Sequence, residues 1–193
     1  AARGEGHLYS RWSNPTVEAV ERRVAALTGA ETALAFGSGM AAVSNALLCA
    51  LRETPRLLCH SDVYGGTYEL VRDVLPGLGV EVRFFPTDGW DQVLSAAKGE
   101  PWGAVYVETP TNPTLRVVDL KRISAAARDL GALLLVDNTF ATPLLQRPLE
   151  LGADVEIHSA TKALGGHHDL LAGVVCSTAS FCASLWTYRK LLG

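Results

Sequence analysis

Short apolar runs recur near residues 56–59, 80–85, 104–108, 132–137, 154–158 and 172–176, and this recurrence limits the fold more than any other feature of the chain. Continuous runs of this length read as buried strands. Helical stretches separate several of them, near 66–75, 89–97 and 119–130. Strands that alternate with helices of this size imply an α/β fold, with a mainly parallel sheet between helices. Two more helices are expected before the first run. Residues 14–28 carry Asn14 as N-cap, Pro15 at the first helical position and Gly29 at the end, with Val17, Val20, Val24 and Leu27 on one face. A second helix follows Gly39 and runs through Met40–Leu51.

Composition narrows the class. The 193 residues suffice for one α/β domain, and 48% hydrophobic with 19% charged residues is a globular balance. A net charge of -3 argues against a nucleic-acid or anionic-membrane partner. No apolar run approaches the roughly 18 residues of a membrane helix, and no basic start precedes an apolar stretch as in a secretion signal. Cys49, Cys59, Cys176 and Cys182 form no CxxC pair and show no metal-ligand spacing with histidine. They read as reduced thiols in a cytoplasmic protein without a metal site. A start without Met and an end at Gly193, just after a helix-like segment, read as cuts through a longer polypeptide.

In sheets of this class, ligands bind at the carboxyl ends of the strands. Asn112, Asp137 and Ser159–Lys162 all fall there. In Ile157-His158-Ser159-Ala160-Thr161-Lys162, a lysine beside two hydroxyls follows a buried strand. Burying a charged amine is costly unless it is paired or neutralised, and condensation with an aldehyde neutralises it as a reactive imine. Ser159 and Thr161 can then bind a phosphate. The ordinary alternative is a surface lysine at a strand–loop junction. Asp137 ends the next apolar run and suits a protonated pyridine nitrogen, or simply an arginine or a helix cap. Phe36-Gly37-Ser38-Gly39-Met40 offers backbone N–H groups to an anion at a helix start. It lacks the Lys-Ser/Thr ending of a P-loop and the spacing of a dinucleotide fingerprint, and it can also be only a turn. Tyr64, next to Gly65 and Gly66, can lie flat against a planar ligand, or be a turn tyrosine. Tyr9 and Arg11 suit phosphate recognition, or belong to a solvated N-terminal arm.

Order and spacing make more of these segments than each makes alone. YSRWSNPT (9–16), GSGMAA (37–42), DVYGGTY (62–68), ETPTNPT (108–114), VDNTF (136–140) and HSATKALGGH (158–167) together resemble the Cys/Met-metabolism pyridoxal-phosphate (PLP) enzymes: cystathionine γ-synthase, cystathionine γ-lyase, cystathionine β-lyase and methionine γ-lyase. The resemblance covers nearly the whole chain. It implies the large domain of a fold-type-I PLP-dependent transferase over 17–193, preceded by an arm over 1–16 that reaches a neighbouring subunit of a homodimer or homotetramer. It implies that Lys162 carries PLP as a Schiff base and later moves the Cα proton, and that Asp137 pairs with the pyridine nitrogen. Tyr64 stacks on the ring and serves as a second catalytic group. Gly39, Met40, Ser159 and Thr161 hold the phosphate, Asn112 lies near the phenolic oxygen, and Tyr9 and Arg11 reach the neighbour's phosphate. The expected activity is carbon–sulfur cleavage of a cysteine- or cystathionine-type amino acid by α,β- or α,γ-elimination. Its rivals are a γ-replacement of the cystathionine γ-synthase or homoserine sulfhydrylase type, and a non-catalytic scaffold.

Three departures stand out. His168 replaces the serine of the family's Gly-His-Ser-Asp, and is expected at the surface. Glu156 stands at an apolar strand position, so it is expected exposed or paired. The family's C-terminal domain, which supplies the arginine for the substrate carboxylate, is absent. Arg116, Arg147 and Arg189 are the candidates to replace it within the chain. The chain is also similar to cysteine-lyase domains embedded in larger multidomain synthases.

Overall fold

A computed structural model describes residues 6–193. The part of the expected arm over 1–5 lies outside the described residues. In chain order the elements are α1 (Pro15–Thr28), β1 (Thr32–Phe36), α2 (Gly39–Ala50), β2 (Arg56–His60), α3 (Gly65–Glu69), β3 (Glu81–Phe85), α4 (Trp90–Ala96), β4 (Ala104–Glu108), α5 (Leu120–Asp129), β5 (Leu133–Asp137), α6 (Thr142–Leu145), β6 (Val155–Ser159), β7 (Gly173–Ser177) and α7 (Ala179–Leu192). The six strands expected from apolar runs are all present. The stretch read as one helix over 66–75 is α3, then a π-helical turn over Leu70–Val74 and a 3₁₀ turn over Leu75–Leu78, ended by Gly79 in the left-handed region.

The seven strands form one sheet in the order β1-β7-β6-β5-β4-β2-β3. Pairings from β3 through β2, β4 and β5 to β6 are parallel. β7 runs antiparallel to both β6 and β1. The sheet is therefore mainly parallel, with one reversed strand near its β1 edge.

Period-2 alternation sorts the strand side chains onto two faces. Ala104 and Tyr106 of β4 join Leu135 of β5 and Ile157 of β6 in a core with α2 residues Val43, Ala46 and Leu47 and with Leu185 of α7. Val105 and Val107 with Leu134 and Val136 pack on the other face, against Leu94 of α4 and Ile123 and Ala127 of α5. The same alternation carries Glu108 and Asp137, at the strand ends, onto the face that packs α2.

α1 begins and ends as expected. Asn14 accepts the amide of Val17 at 2.9 Å, and Gly29 closes the helix at φ 75°. Its buried face is different: Glu21, Val24, Ala25 and Thr28 face inward, while Val20 and Leu27 are exposed. The cause is ionic. Glu21 reaches the buried Arg189 of α7 and accepts the amide of Ala35 at 3.0 Å, which rotates the helix toward that pair.

Candidate active site

Four strand ends and the start of α2 surround a cleft of about 240 Å³. It is lined by Gly39, Met40, Tyr64, Asn112, Asp137, Ser159, Thr161 and Lys162, eight of the ten expected site residues, together with Glu108 and Thr139. The volume lies just below the usual range for small-molecule sites, a size for one ring with a phosphate rather than a dinucleotide.

At one end of the cleft, Ser38 caps α2 by accepting the Ala41 amide at 3.0 Å. The Gly39 and Met40 amides precede it, among those without an intrahelical acceptor. This approach depends on glycine. A Cβ at Gly39 would sit 2.7 Å from Ser159 Cβ and 2.8 Å from its Oγ, and one at Gly173 would sit 2.1 Å from the Ser38 carbonyl oxygen. The start of α2 and the Ser159 hydroxyl thus line the same end of the cleft, where amides free of intrahelical partners suit an anion. Thr161, nearby, donates its hydroxyl to the Ala172 carbonyl at 3.2 Å and accepts the Ala172 amide at 3.1 Å.

Asp137 is buried at the cleft floor. Its Oδ1 accepts the Thr139 amide at 3.0 Å, and its Oδ2 accepts the Tyr106 hydroxyl at 3.3 Å. Burial pushes its carboxyl up, opposed by the Thr139 bonds and by His158. A cationic ring nitrogen would offset that desolvation. Thr139 also ties this residue to the α2 end of the cleft, since its hydroxyl accepts the Ser159 amide at 2.8 Å.

Lys162 lies on the turn after β6, its amide donating to the Ser159 carbonyl at 3.1 Å. It is exposed. The burial cost expected from the sequence does not arise, because the turn lifts the side chain out of the sheet to the mouth of the cleft. Its place among the cleft residues carries its role instead. The Tyr64 ring is 49% exposed on the cleft wall. Its orientation uses Gly66, where a Cβ would meet Tyr64 Cε1 at 2.7 Å, whereas Gly65 has open space.

Tyr9 and Arg11 are not among the cleft-lining residues. Tyr9 packs edge-on against Trp12, and the Arg11 guanidinium lies over the Tyr9 ring and donates to the Lys190 carbonyl. None of the three candidate arginines lines the cleft either. Arg116 pairs with Asp88 and Asp62, Arg147 pairs with Glu150 at 3.0 Å, and Arg189 is buried on Glu21. Arg189 is thereby removed as a carboxylate ligand, since leaving Glu21 would strand a buried charge. His168 is exposed and outside the cleft lining, at φ 56°. Glu156 is paired: its Oε1 accepts from Asn138 Nδ2 at 2.8 Å and contacts His158 Nε2 at 2.7 Å, on the sheet face away from the cleft.

Sequence reasoning missed Glu108. It is 5% exposed and lines the cleft. Its Oε2 accepts the Tyr64 amide at 2.6 Å, and its Oε1 accepts the Asn112 amide at 3.0 Å. Burial, then the nearby Asp137 carboxylate, raise its pKa to about 7. The signal was present in the sequence: Ala104-Val-Tyr-Val-Glu108 ends on an acid just as Leu133-Leu-Leu-Val-Asp137 does.

Amides and hydroxyls at one end, a buried carboxylate at the floor, a ring on the wall and a lysine at the mouth fit a phosphorylated pyridine aldehyde. Comparison with known proteins agrees. The chain is 44% identical over 179 residues to the cystathionine gamma-lyase of Bacillus subtilis, covering 93% of this chain and 47% of that protein. It is 46% identical over 176 residues to the cystathionine beta-lyase of Lactococcus lactis subsp. cremoris, covering 91% and 46%. The crystal structure of cystathionine gamma synthase from Xanthomonas oryzae pv. oryzae, in complex with aminoacrylate and cysteine, superposes with a TM-score of 0.88 at 32% identity, covering 99% of this chain and 50% of that one. The chain thus spans about half the length of the curated relatives it matches. The family model of the Cys/Met metabolism PLP-dependent enzymes matches residues 1–193, and with the cleft geometry this establishes that the chain belongs to that family.

Proposed function

We propose that this chain forms the cofactor-binding half of a carbon–sulfur lyase acting on a cysteine- or cystathionine-type amino acid. The observation that carries this reading is the convergence of Lys162, Asp137 and Tyr64 on one cleft beside the amide-lined start of α2. PLP, when bound, supplies an electron sink for the pair left when a Cα–H bond breaks. The chain's residues supply the rest. Gly39 and Met40 amides with the Ser159 hydroxyl bind the phosphate, the Thr161 hydroxyl turning its proton from the Ala172 carbonyl to join them, and Asp137 keeps the ring nitrogen protonated. Lys162 Nζ takes the Cα proton as a general base. The Tyr64 hydroxyl delivers a proton to the departing thiolate. Asn112, which lines the cleft with Glu108, is assigned to the phenolic oxygen.

Tyr9 and Arg11 are assigned to the phosphate of a neighbouring subunit in a homodimer or homotetramer. What supports this is that neither lines the cleft of its own chain and that both are exposed. We place the protein in the cytoplasm. Its four cysteines are buried and free, and among the described residues no helix is long and apolar enough to cross a membrane.

The test uses the full polypeptide that carries this chain. With PLP it should show the visible absorbance of a lysine-linked cofactor, and Lys162→Ala should not. Cysteine should yield pyruvate, and cystathionine should yield pyruvate by α,β-elimination or 2-oxobutanoate by α,γ-elimination. A colourless wild type overturns the cofactor assignment. Turnover of O-acyl-homoserine with a thiol, without a keto acid from either amino acid, replaces elimination with γ-replacement. A coloured protein inert toward all of these substrates favours the scaffold reading.

A further inference from the structure

Glu108 does more than a satisfied core carboxylate needs to do. Its two oxygens serve two different loops. Tyr64 lies on the turn that follows β2, and Asn112 lies on the segment that follows β4. The two amides are 48 positions apart in the chain, and one carboxylate accepts both, at 2.6 and 3.0 Å. The residues so held form the cleft wall: the stacking tyrosine and the asparagine next to it.

The arrangement comes at an energetic cost. Glu108 is the register partner of Asp137 on the neighbouring strand, so two buried carboxylates occupy one end of the sheet. Tyr106 stands two positions before Glu108 on the same face, its hydroxyl turned to Asp137. No cation is ion-paired with Glu108 among the described residues. Burying an acid without a counter-charge is unfavourable, and an apolar residue would fill the site more cheaply. Only a carboxylate offers two acceptor oxygens at this reach. A glutamine would turn its NH₂ toward one of the two amides, and an aspartate is one methylene short of spanning both.

We propose that Glu108 is a positioning residue that sets the cofactor cleft by fixing the backbones of Tyr64 and Asn112 relative to each other, so that the tyrosine ring is held for stacking before the cofactor arrives. This role rests on the cofactor reading above. It predicts that loss of Glu108 loosens cofactor seating without removing any group that touches the cofactor's phosphate, ring nitrogen or aldehyde.

The experiment compares wild type, Glu108→Gln and Lys162→Ala in the full polypeptide. It measures PLP affinity of the apoprotein, the visible circular dichroism of the bound cofactor, amide exchange at Tyr64 and Asn112, and apoprotein melting. Glu108→Gln should still bind PLP through Lys162, with affinity lower by about tenfold, the scale for losing one charge-assisted hydrogen bond. The visible circular dichroism should change, and the Tyr64 and Asn112 amides should exchange faster, while the melting temperature stays close to that of wild type. Wild-type affinity and an unchanged circular dichroism in Glu108→Gln overturn the role of Glu108 and leave the cofactor reading intact. A wild type that takes no PLP overturns both. Should Glu108→Gln not fold, the wild-type apoprotein decides: the two amides should be protected to the same degree, and free exchange at either one overturns the proposal.

Discussion

Glu108 and Asp137 are paired positions on adjacent parallel strands, and both carboxylates lie on the sheet face that packs α2. Two acids buried side by side make the apoprotein sensitive to pH. Burial, with Asp137 second, raises Glu108 from 4.5 to about 7, and burial raises Asp137 as well. A folded-state pKa above the unfolded value means that the native state holds the proton more tightly. The associated stability is present in full below pH 4.5 and is lost as pH rises toward 7. Urea unfolding of the apoprotein at pH 5 and pH 8 should show this loss. In Glu108→Gln the difference between the two pH values should shrink, by an amount on the order of 3 kcal/mol at most. An equal pH dependence in both proteins would contradict the buried, raised Glu108.

Asp137→Asn separates stability from cofactor binding. The substitution removes a buried charge that accepts the Thr139 amide and the Tyr106 hydroxyl and has no arginine or lysine paired with it among the described residues. Above pH 7 the apoprotein should be as stable as wild type or more stable, by about 1 kcal/mol. A neutral amide does not hold a protonated ring nitrogen, so PLP affinity should fall at least tenfold, about the scale for losing a charged hydrogen bond. Denaturant unfolding and absorbance titration on the same samples read the two opposite signs.

The strands of this fold are legible because each is a short apolar run, and their carboxyl ends give the site. β1 is not legible in that way. Thr32-Ala-Leu-Ala-Phe36 has little intrinsic strand preference, and it becomes a strand by antiparallel pairing with β7, some 140 positions later. The inward face of α1 is hidden for a similar reason. Its hydrophobic period points to Val20 and Leu27, but the Glu21–Arg189 pair, made with the far end of the chain, sets the rotation. Glu108 is marked in the sequence only as an acid that ends an apolar run, as Asp137 does; that it holds two backbone amides from different loops is a long-range relation that the run does not record. Lys162, by contrast, stands out by its motif and lines the cleft, although a burial cost does not apply to its exposed side chain.

Two glycines at the cleft should respond differently to alanine. At Gly39 the added Cβ meets Ser159 Cβ at 2.7 Å and Oγ at 2.8 Å, between α2 and β6. Gly39→Ala should cost roughly 1–3 kcal/mol of stability and weaken PLP binding, because the packed start of α2 must move. At Gly66 the added Cβ meets Tyr64 Cε1 at 2.7 Å. That side chain is half exposed and can yield to the added Cβ without any shift of packed backbone. Gly66→Ala should therefore leave stability within about 1 kcal/mol, as surface changes usually do, and still lower PLP affinity by misplacing the ring. Gly65→Ala, which has open space around it, is the control. Thermal melts and PLP titrations of the three variants distinguish these outcomes. Equal effects of Gly65→Ala and Gly66→Ala would deny Tyr64 a place in cofactor binding.

The Glu21–Arg189 pair yields the largest stability effect expected in the chain. Arg189 is buried and donates to the Glu21 carboxylate, to the Trp12 carbonyl and, at 3.4 Å, to the Ala35 carbonyl. It thereby ties α7, α1, β1 and the segment before α1 together. Arg189→Ala leaves the Glu21 carboxylate without that buried partner and opens a void, which should cost about 3–5 kcal/mol. Arg189→Met with Glu21→Gln removes both charges while keeping most of the volume, and should recover much of the loss. PLP affinity of whatever fraction remains folded should be unchanged in both variants, because Arg189 does not line the cleft. Denaturant unfolding supplies the double-mutant comparison. A selective loss of substrate binding in a stably folded Arg189→Met would return this arginine to the list of carboxylate ligands.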